Sequence, residues 1–310
     1  MKARILGLRT VLVSECLGGE QTTRKETQLL YHPNRWRPEE HFMARRGPNF
    51  NRFVLNCQTS RDTEGDWSFG DAVEAQSELA HDPQRSLKLF GVEDLTKPPP
   101  DSVALRRDWW EIQDQGRTGA CVGYATADGV LRWQYTKHNM MSTTERPSPR
   151  FIWMANKETD DITRYPTTFI ERAGTSTKLA LGIAQKFGCV PESMLPMNGA
   201  LSPLRANVFF SIAAQFRITA YYNLGSDLDH WRRWIAHVGP ILTRLDVDKT
   251  WKNATTTNGK LDKYDENGTK FGGHAVCLVG YTAEHFIVRN SWGGPVGGTR
   301  DSPTPATSTQ

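Results

Sequence analysis

A glutamine stands six residues ahead of a cysteine in Gln115-Gly116-Arg117-Thr118-Gly119-Ala120-Cys121, a glycine-punctuated loop leading into a proline-free stretch that runs from Cys121 to His138. Val122, Ala125, Gly129 and Trp133 recur there at spacings of three and four, which predicts a helix starting at or near Cys121. A thiol at a helix N-terminus feels the positive end of the macrodipole and its free N–H groups, which favour the nucleophilic thiolate. The upstream glutamine amide can fold back to stabilise an oxyanion together with the cysteine's own N–H. A small buried cysteine on a core helix would have the same local sequence, so this stretch alone leaves both readings open.

Two further stretches carry compatible chemistry. Gly272-Gly273-His274-Ala275-Val276-Cys277-Leu278-Val279-Gly280-Tyr281 puts a histidine at the entrance of an apolar strand, and Ile287-Val288-Arg289-Asn290-Ser291-Trp292-Gly293-Gly294 places an asparagine sixteen residues later. If residues 275–281 and 286–289 are antiparallel strands joined by the Thr282–His285 turn, His274 and Asn290 sit side by side. The Asn290 carbonyl then fixes the imidazole tautomer, and Trp292 keeps water from that hydrogen bond. Each motif is weak separately, but the three together point to a nucleophile, a general base and an orienting residue.

The elements that must position these groups fall into two textures. Residues 1–48 are polar and basic and read as a disordered extension, and residues 49–98 as a pro-segment-like or structural N-terminal segment with a strand-like Phe53-Val54-Leu55 and a helix from Asp71 to Leu79. Pro98-Pro99-Pro100 marks the main boundary. A second helix is predicted over about 175–187 with Gly188 as its stop. After about Ala200 the pattern turns to strands at Phe216–Tyr222, Ile241–Leu245, Ala275–Tyr281 and Phe286–Arg289, interrupted by one helix from Asp227 to His237. Helices first and strands after, without alternation, indicate an α+β fold.

Composition excludes several classes. Of 310 residues 38% are hydrophobic and ten are Trp, so the chain can bury a core. The net charge of +4 resides wholly in the first 46 residues, where nine Lys/Arg face five Asp/Glu; the remainder is formally neutral, and no nucleic-acid partner is expected. No apolar run reaches the roughly 18 residues of a membrane span, so no membrane partner is expected either. Five scattered cysteines without a C-x-x-C pair predict no metal, no cofactor and at least one free thiol. Asp246 and Asp248 read as a strand-end turn, His285 as a turn residue, and Arg232-Arg233 as a solvated helix face.

Over about Pro99 to Gly298 the chain resembles the papain-like cysteine peptidases. The Cys121 to His274 interval is near the spacing expected of that family. The resemblance implies a two-subdomain fold, helical over about 99–200 and β-rich over 201–298, with the active site in the cleft between them. It implies Cys121 as nucleophile, His274 as general base and acid, Asn290 as orienting residue and Gln115 as oxyanion-hole donor, with Gly174, Gly273 and Trp292 lining the substrate site. The substrate would be a protein or peptide, hydrolysed by a monomer through a thioester, with a transglutaminase-like acyltransferase or an inactive peptide-binding homologue as alternatives. Of the five cysteines the resemblance gives only Cys121 a role, the other four being bystanders. Thr118 and Val122 stand where secreted members carry a disulfide cysteine and an aromatic residue; the missing disulfide points to a cytoplasmic location, the signal-like start to secretion. Residues 299–310 form a Ser/Thr/Pro tail read as disordered, in place of the family's closing segment.

Overall fold

A computed structural model describes residues 10–15, 54–80, 94–159, 174–199, 204–253, 261 and 268–293; the tail after Gly293 lies outside them. Six strands form one mixed sheet: β1 (Thr10–Glu15), β2 (Val103–Ala104), β3 (Ala220–Asn223), β4 (Ile241–Val247), β5 (Gly272–Tyr281) and β6 (Phe286–Arg289). They lie in the order β2-β5-β4-β1-β3, with β6 also paired to β5. The β5–β6 hairpin is antiparallel, with Cys277 opposite Arg289 and Tyr281 opposite Phe286, and Thr282 N–H closes its turn on the His285 carbonyl. β5 is apolar almost throughout because both of its faces are covered.

The reading of residues 1–48 as an extension is corrected over Thr10–Glu15. These residues form β1, parallel to both β3 and β4. The Val11-Leu12-Val13 run that imitates the start of a signal sequence also suits a strand between two neighbours.

Helices α1 (Phe69–Ala80), α2 (Cys121–Tyr124, Ala125–Leu131 and Arg132–Lys137 in succession), α3 (Pro149–Thr159), α4 (Thr177–Lys186), α5 (Ala206–Ala214) and α6 (Leu228–His237) pack around the sheet. Their starts are legible in their caps. The Asp71 carboxylate accepts the Ser68 N–H at 2.6 Å while Ser68 Oγ accepts the Asp71 N–H at 3.3 Å, a reciprocal box that begins α1. Ser176 caps α4 and Asp227 caps α6. Gly188, at φ 87°, ends α4 against the Ala213 carbonyl, which a Cβ would meet at 1.9 Å. Helix α5 departs from the strand-like texture expected after Ala200: Phe209 meets Phe151 of α3 tilted at 5.9 Å and Phe210 meets it edge-on at 6.4 Å, and that tertiary contact decides the element. Among the described residues no helix is long and apolar enough to cross a membrane.

Helix α2 is central and irregular. Its middle, Ala125–Leu131, is π-helical, and the thiol of Cys277 on β5 donates to the Ala125 carbonyl there at 2.9 Å. A Cβ on Gly129 would lie 2.2 Å from that sulfur, so glycine is required by close approach. Gly129→Ala should cost about 1–3 kcal/mol through overpacking, with most of the loss recovered by adding Cys277→Ala; thermal denaturation of the two variants checks this.

Candidate active site

Cys121 opens α2, where the N-cap residue Ala120 contributes no side-chain hydrogen bond, so no side chain caps the positive end of the helix at the thiol. The loop before it is held by its own atoms. Gly116 takes φ 60°, its N–H donates to Asp114 Oδ1 at 2.8 Å, and Thr118 Oγ1 donates to the Gln115 carbonyl at 2.7 Å. Gln115 is buried; Nε2 donates to the Thr118 carbonyl at 3.0 Å and Oε1 accepts Ser291 Oγ–H at 2.7 Å. An amide nitrogen carries two hydrogens, so one Gln115 N–H remains for an oxyanion.

The β5–β6 hairpin brings His274 and Asn290 together as the strand pattern predicts. His274 Nε2 and Asn290 Oδ1 are 2.7 Å apart. Asn290 Oδ1 also receives the Ser291 backbone N–H at 2.7 Å, and since a backbone N–H can only donate, that atom is the amide oxygen. It follows that Nε2 carries the proton and Nδ1 is the basic nitrogen left for Cys121. Trp292 stacks on the imidazole at 4.6 Å and 25°. Trp251, which sequence reasoning did not single out, meets both rings, edge-on to His274 at 6.0 Å and tilted to Trp292 at 5.5 Å. The Asn290 hydrogen bond is thereby sealed in an aromatic pocket.

The Cys121 thiol is held well below its ordinary range, first by a hydrogen bond from the Cys57 side chain, then by the hydrogen bond and charge of His274 and the Ala275 N–H, all against full burial, which pushes it up. Two other buried thiols move the opposite way: burial raises Cys189, and Cys277 is pushed up to about 12 by burial.

Cys57 was among the cysteines set aside as bystanders, and that reading is corrected. Residues 54–60 run as an extended strap through the cleft. Cys57 N–H donates to the Gly273 carbonyl and Gln58 N–H to the Thr175 carbonyl, each at 2.9 Å, so the strap bridges the two walls in parallel pairing at Asn56–Gly273 and Gln58–Ser176. Arg244 Nε donates to the Cys57 carbonyl at 3.1 Å. The glycines are needed for this approach: a Cβ at Gly174 would be 1.8 Å from the Asn56 carbonyl oxygen and one at Gly273 would be 2.3 Å from that of Cys57. The two glycines assigned to substrate binding thus line the groove through which the strap passes.

A buried ionic network, also missed from the sequence, fastens the two halves behind the site. Arg289, next to Asn290, donates to Asp128 Oδ2 and the Glu111 carbonyl at 2.6 Å and to the Trp110 carbonyl at 2.8 Å. Arg132 holds the other Asp128 oxygen at 3.1 Å. Gln115 N–H to the Ser291 carbonyl at 2.8 Å and Gly293 N–H to the Gln113 carbonyl at 3.1 Å stitch the cysteine loop to the asparagine loop. Asp246 and Asp248, read as a strand-end turn, lie at the end of β4, Asp246 paired with Arg244 at 2.8 Å and Lys270 at 3.3 Å and Asp248 accepting the Thr250 N–H at 3.0 Å.

Residues 176–299 match the sequence profile of the papain family cysteine proteases. An uncharacterized peptidase C1-like protein of Acanthamoeba polyphaga mimivirus is 26% identical over 217 residues, an alignment spanning 66% of this chain and 66% of the viral protein, just under two thirds of its length. The crystal structure of xylellain, a cysteine protease from Xylella fastidiosa, superposes with a TM-score of 0.57 at 23% identity, covering 79% of this chain and 88% of that one.

Proposed function

On the premise that this chain belongs to the papain-like cysteine peptidases, we propose that it hydrolyses peptide bonds of a protein or peptide substrate through a thioester on Cys121. The observation that carries the reading is the His274–Asn290 hydrogen bond of 2.7 Å, in a pocket where the Cys121 thiol is held low. Nδ1 of His274 takes the thiol proton, giving a thiolate beside an imidazolium. The thiolate attacks the carbonyl carbon; the Cys121 N–H and the remaining Gln115 N–H receive the oxyanion. The imidazolium protonates the leaving amine, and the thioester is then cleaved by a water that His274 deprotonates.

Residues 54–60 act as an inhibitory segment in this scheme, because they occupy the groove a peptide must enter. They are also structural: Cys57 packs in the same core as Phe69 and Ala72, so the 49–98 segment joins both roles considered for it. The four described cysteines carry free thiols, which supports a cytoplasmic location. The test incubates the reduced full chain with a quenched-fluorescent peptide library and with a peptidyl electrophile. Hydrolysis and labelling on Cys121, both absent in Cys121→Ala, are expected; transfer to an added amine in place of hydrolysis would replace the reading with acyl transfer.

A further inference from the structure

The strap does more than fill space, since it delivers a second thiol to the nucleophile. Cys57 is almost fully buried and Cys121 wholly so, in one core; the Cys57 N–H on the Gly273 carbonyl, beside His274, sets Cys57 at the nucleophile, within reach of the Cys121 side chain. The strap is fixed on both sides of Cys57 by the Gly273 and Thr175 carbonyls, from beneath by Arg244, and further along by Ser60, whose Oγ lies 3.2 Å from Thr177 Oγ1 and accepts the Lys178 N–H at 3.1 Å. Leu55 is buried beside Trp251 and Trp292. The Cys57 thiol also lies 3.7 Å from the Gln58 carbonyl, whereas the remaining described thiols are held away from the cleft, Cys277 on the Ala125 carbonyl at 2.9 Å and Cys189 on the Ser148 and Val190 carbonyls at 3.6 and 3.5 Å. A bystander cysteine needs no such setting, whereas a resolving cysteine needs contact with a reactive thiolate.

We propose that Cys57 and Cys121 form a peroxide-sensitive pair that closes to a disulfide, fastening the strap in the cleft and withdrawing the nucleophile until a dithiol reductant reopens it. The proposal rests on the reading of Cys121 as nucleophile. With hydrogen peroxide as oxidant, the Cys121 thiolate attacks one peroxide oxygen, the O–O bond breaks, and the departing hydroxide takes the His274 imidazolium proton as water. The Cys57 sulfur then attacks the resulting sulfenic acid, its S–O bond breaks, and a second water leaves with the Cys57 proton. The two sulfurs have given up two electrons and the peroxide bond has received them. A dithiol reverses this by exchange, becoming a cyclic disulfide itself.

The experiment treats the reduced full chain, Cys57→Ser and Cys57→Ala with hydrogen peroxide, blocks the remaining thiols, and maps non-reduced digests by mass spectrometry. The unsubstituted chain should lose two thiols and yield a peptide pair joined through Cys57 and Cys121, with any peptide hydrolysis lost and then regained on adding dithiothreitol. In both variants the pair should be absent, Cys121 should pass to sulfinic acid, and dithiothreitol should not restore activity. The proposal is overturned if no Cys57–Cys121 pair forms, or if Cys121 reaches sulfinic acid as readily with Cys57 present as without it. The link forming in a chain that hydrolyses no peptide would sink the peptidase reading alone; hydrolysis without the link would sink this proposal alone.

Discussion

His274→Ala lowers kcat/KM for peptide hydrolysis by about 10⁴-fold or more, the scale on which removal of one member of an interdependent catalytic set acts. The substitution removes the base that accepts the thiol proton and the acid that protonates the leaving amine. It also removes the second influence holding the Cys121 thiol low, the hydrogen bond and charge of the ring. The sign follows from which form is favoured. A depressed thiol pKa means that the thiolate is already present at mildly acidic pH and is lost only as pH falls through that low value. Without His274 the burial of Cys121 is opposed by fewer partners, so the titration moves in the alkaline direction, towards and past the free-thiol value of about 8.5. Thiolate absorbance in the ultraviolet, taken as the difference between each protein and its Cys121→Ala counterpart, measures this without requiring a reagent to pass the strap. Identical titrations with and without His274 would mean that the two side chains are not an ion pair.

Arg289→Met should destabilise the chain by about 3–5 kcal/mol, the scale for removing one partner from a buried ion pair. The carboxylate of Asp128 stays buried with one oxygen still on Arg132 and the other stripped of its 2.6 Å partner. The carbonyls of Trp110 and Glu111 lose their donors too, and each unsatisfied buried acceptor adds to the cost. At about 2–4 °C per kcal/mol for a domain of this size, the melting temperature should fall by roughly 10 °C. Adding Asp128→Leu should deepen the loss, because the buried Arg132 guanidinium then loses its own carboxylate. A single Arg289→Met that leaves the melting temperature within a degree or so of the parent, on the order of surface substitutions, would show that the network does not hold the halves together. Asn290 follows Arg289 directly, so the same variant is expected to loosen the His274 hydrogen bond as well.

The parts of the site that were readable from the sequence are those encoded within a short stretch of chain. Cys121 at a helix start follows from glycine punctuation and a three-and-four apolar rhythm; the meeting of His274 and Asn290 follows from two strands and one tight turn. Cys57 carries no comparable local mark. Its importance comes from the strap crossing between Gly273 and Thr175, partners more than a hundred residues away in sequence, and no periodicity reports such a pairing. Asp128 and Arg289 were invisible for the same reason, being 161 residues apart. Helix α5 was misread because Asn207-Val208-Phe209-Phe210 has strand-like composition, and only the aromatic surface of α3 decides the matter. The π segment of α2 likewise meets a sulfur from β5 that the helix's own sequence does not announce.

The strap is covalently part of the chain, so it competes for the cleft as a tethered ligand at a local concentration that does not fall on dilution; for short flexible tethers that concentration is on the order of millimolar. A peptide arriving from solution meets only the fraction of molecules whose cleft is open. If that fraction is about one in a hundred, the apparent KM rises about a hundredfold over the intrinsic value. The turnover at saturation is untouched, because a molecule that has taken up substrate no longer contains the competitor. In the proposed peptidase, tethered competition of this kind sets a threshold of concentration: every peptide is weakened by the same factor, so a weak one is cut only where it is abundant.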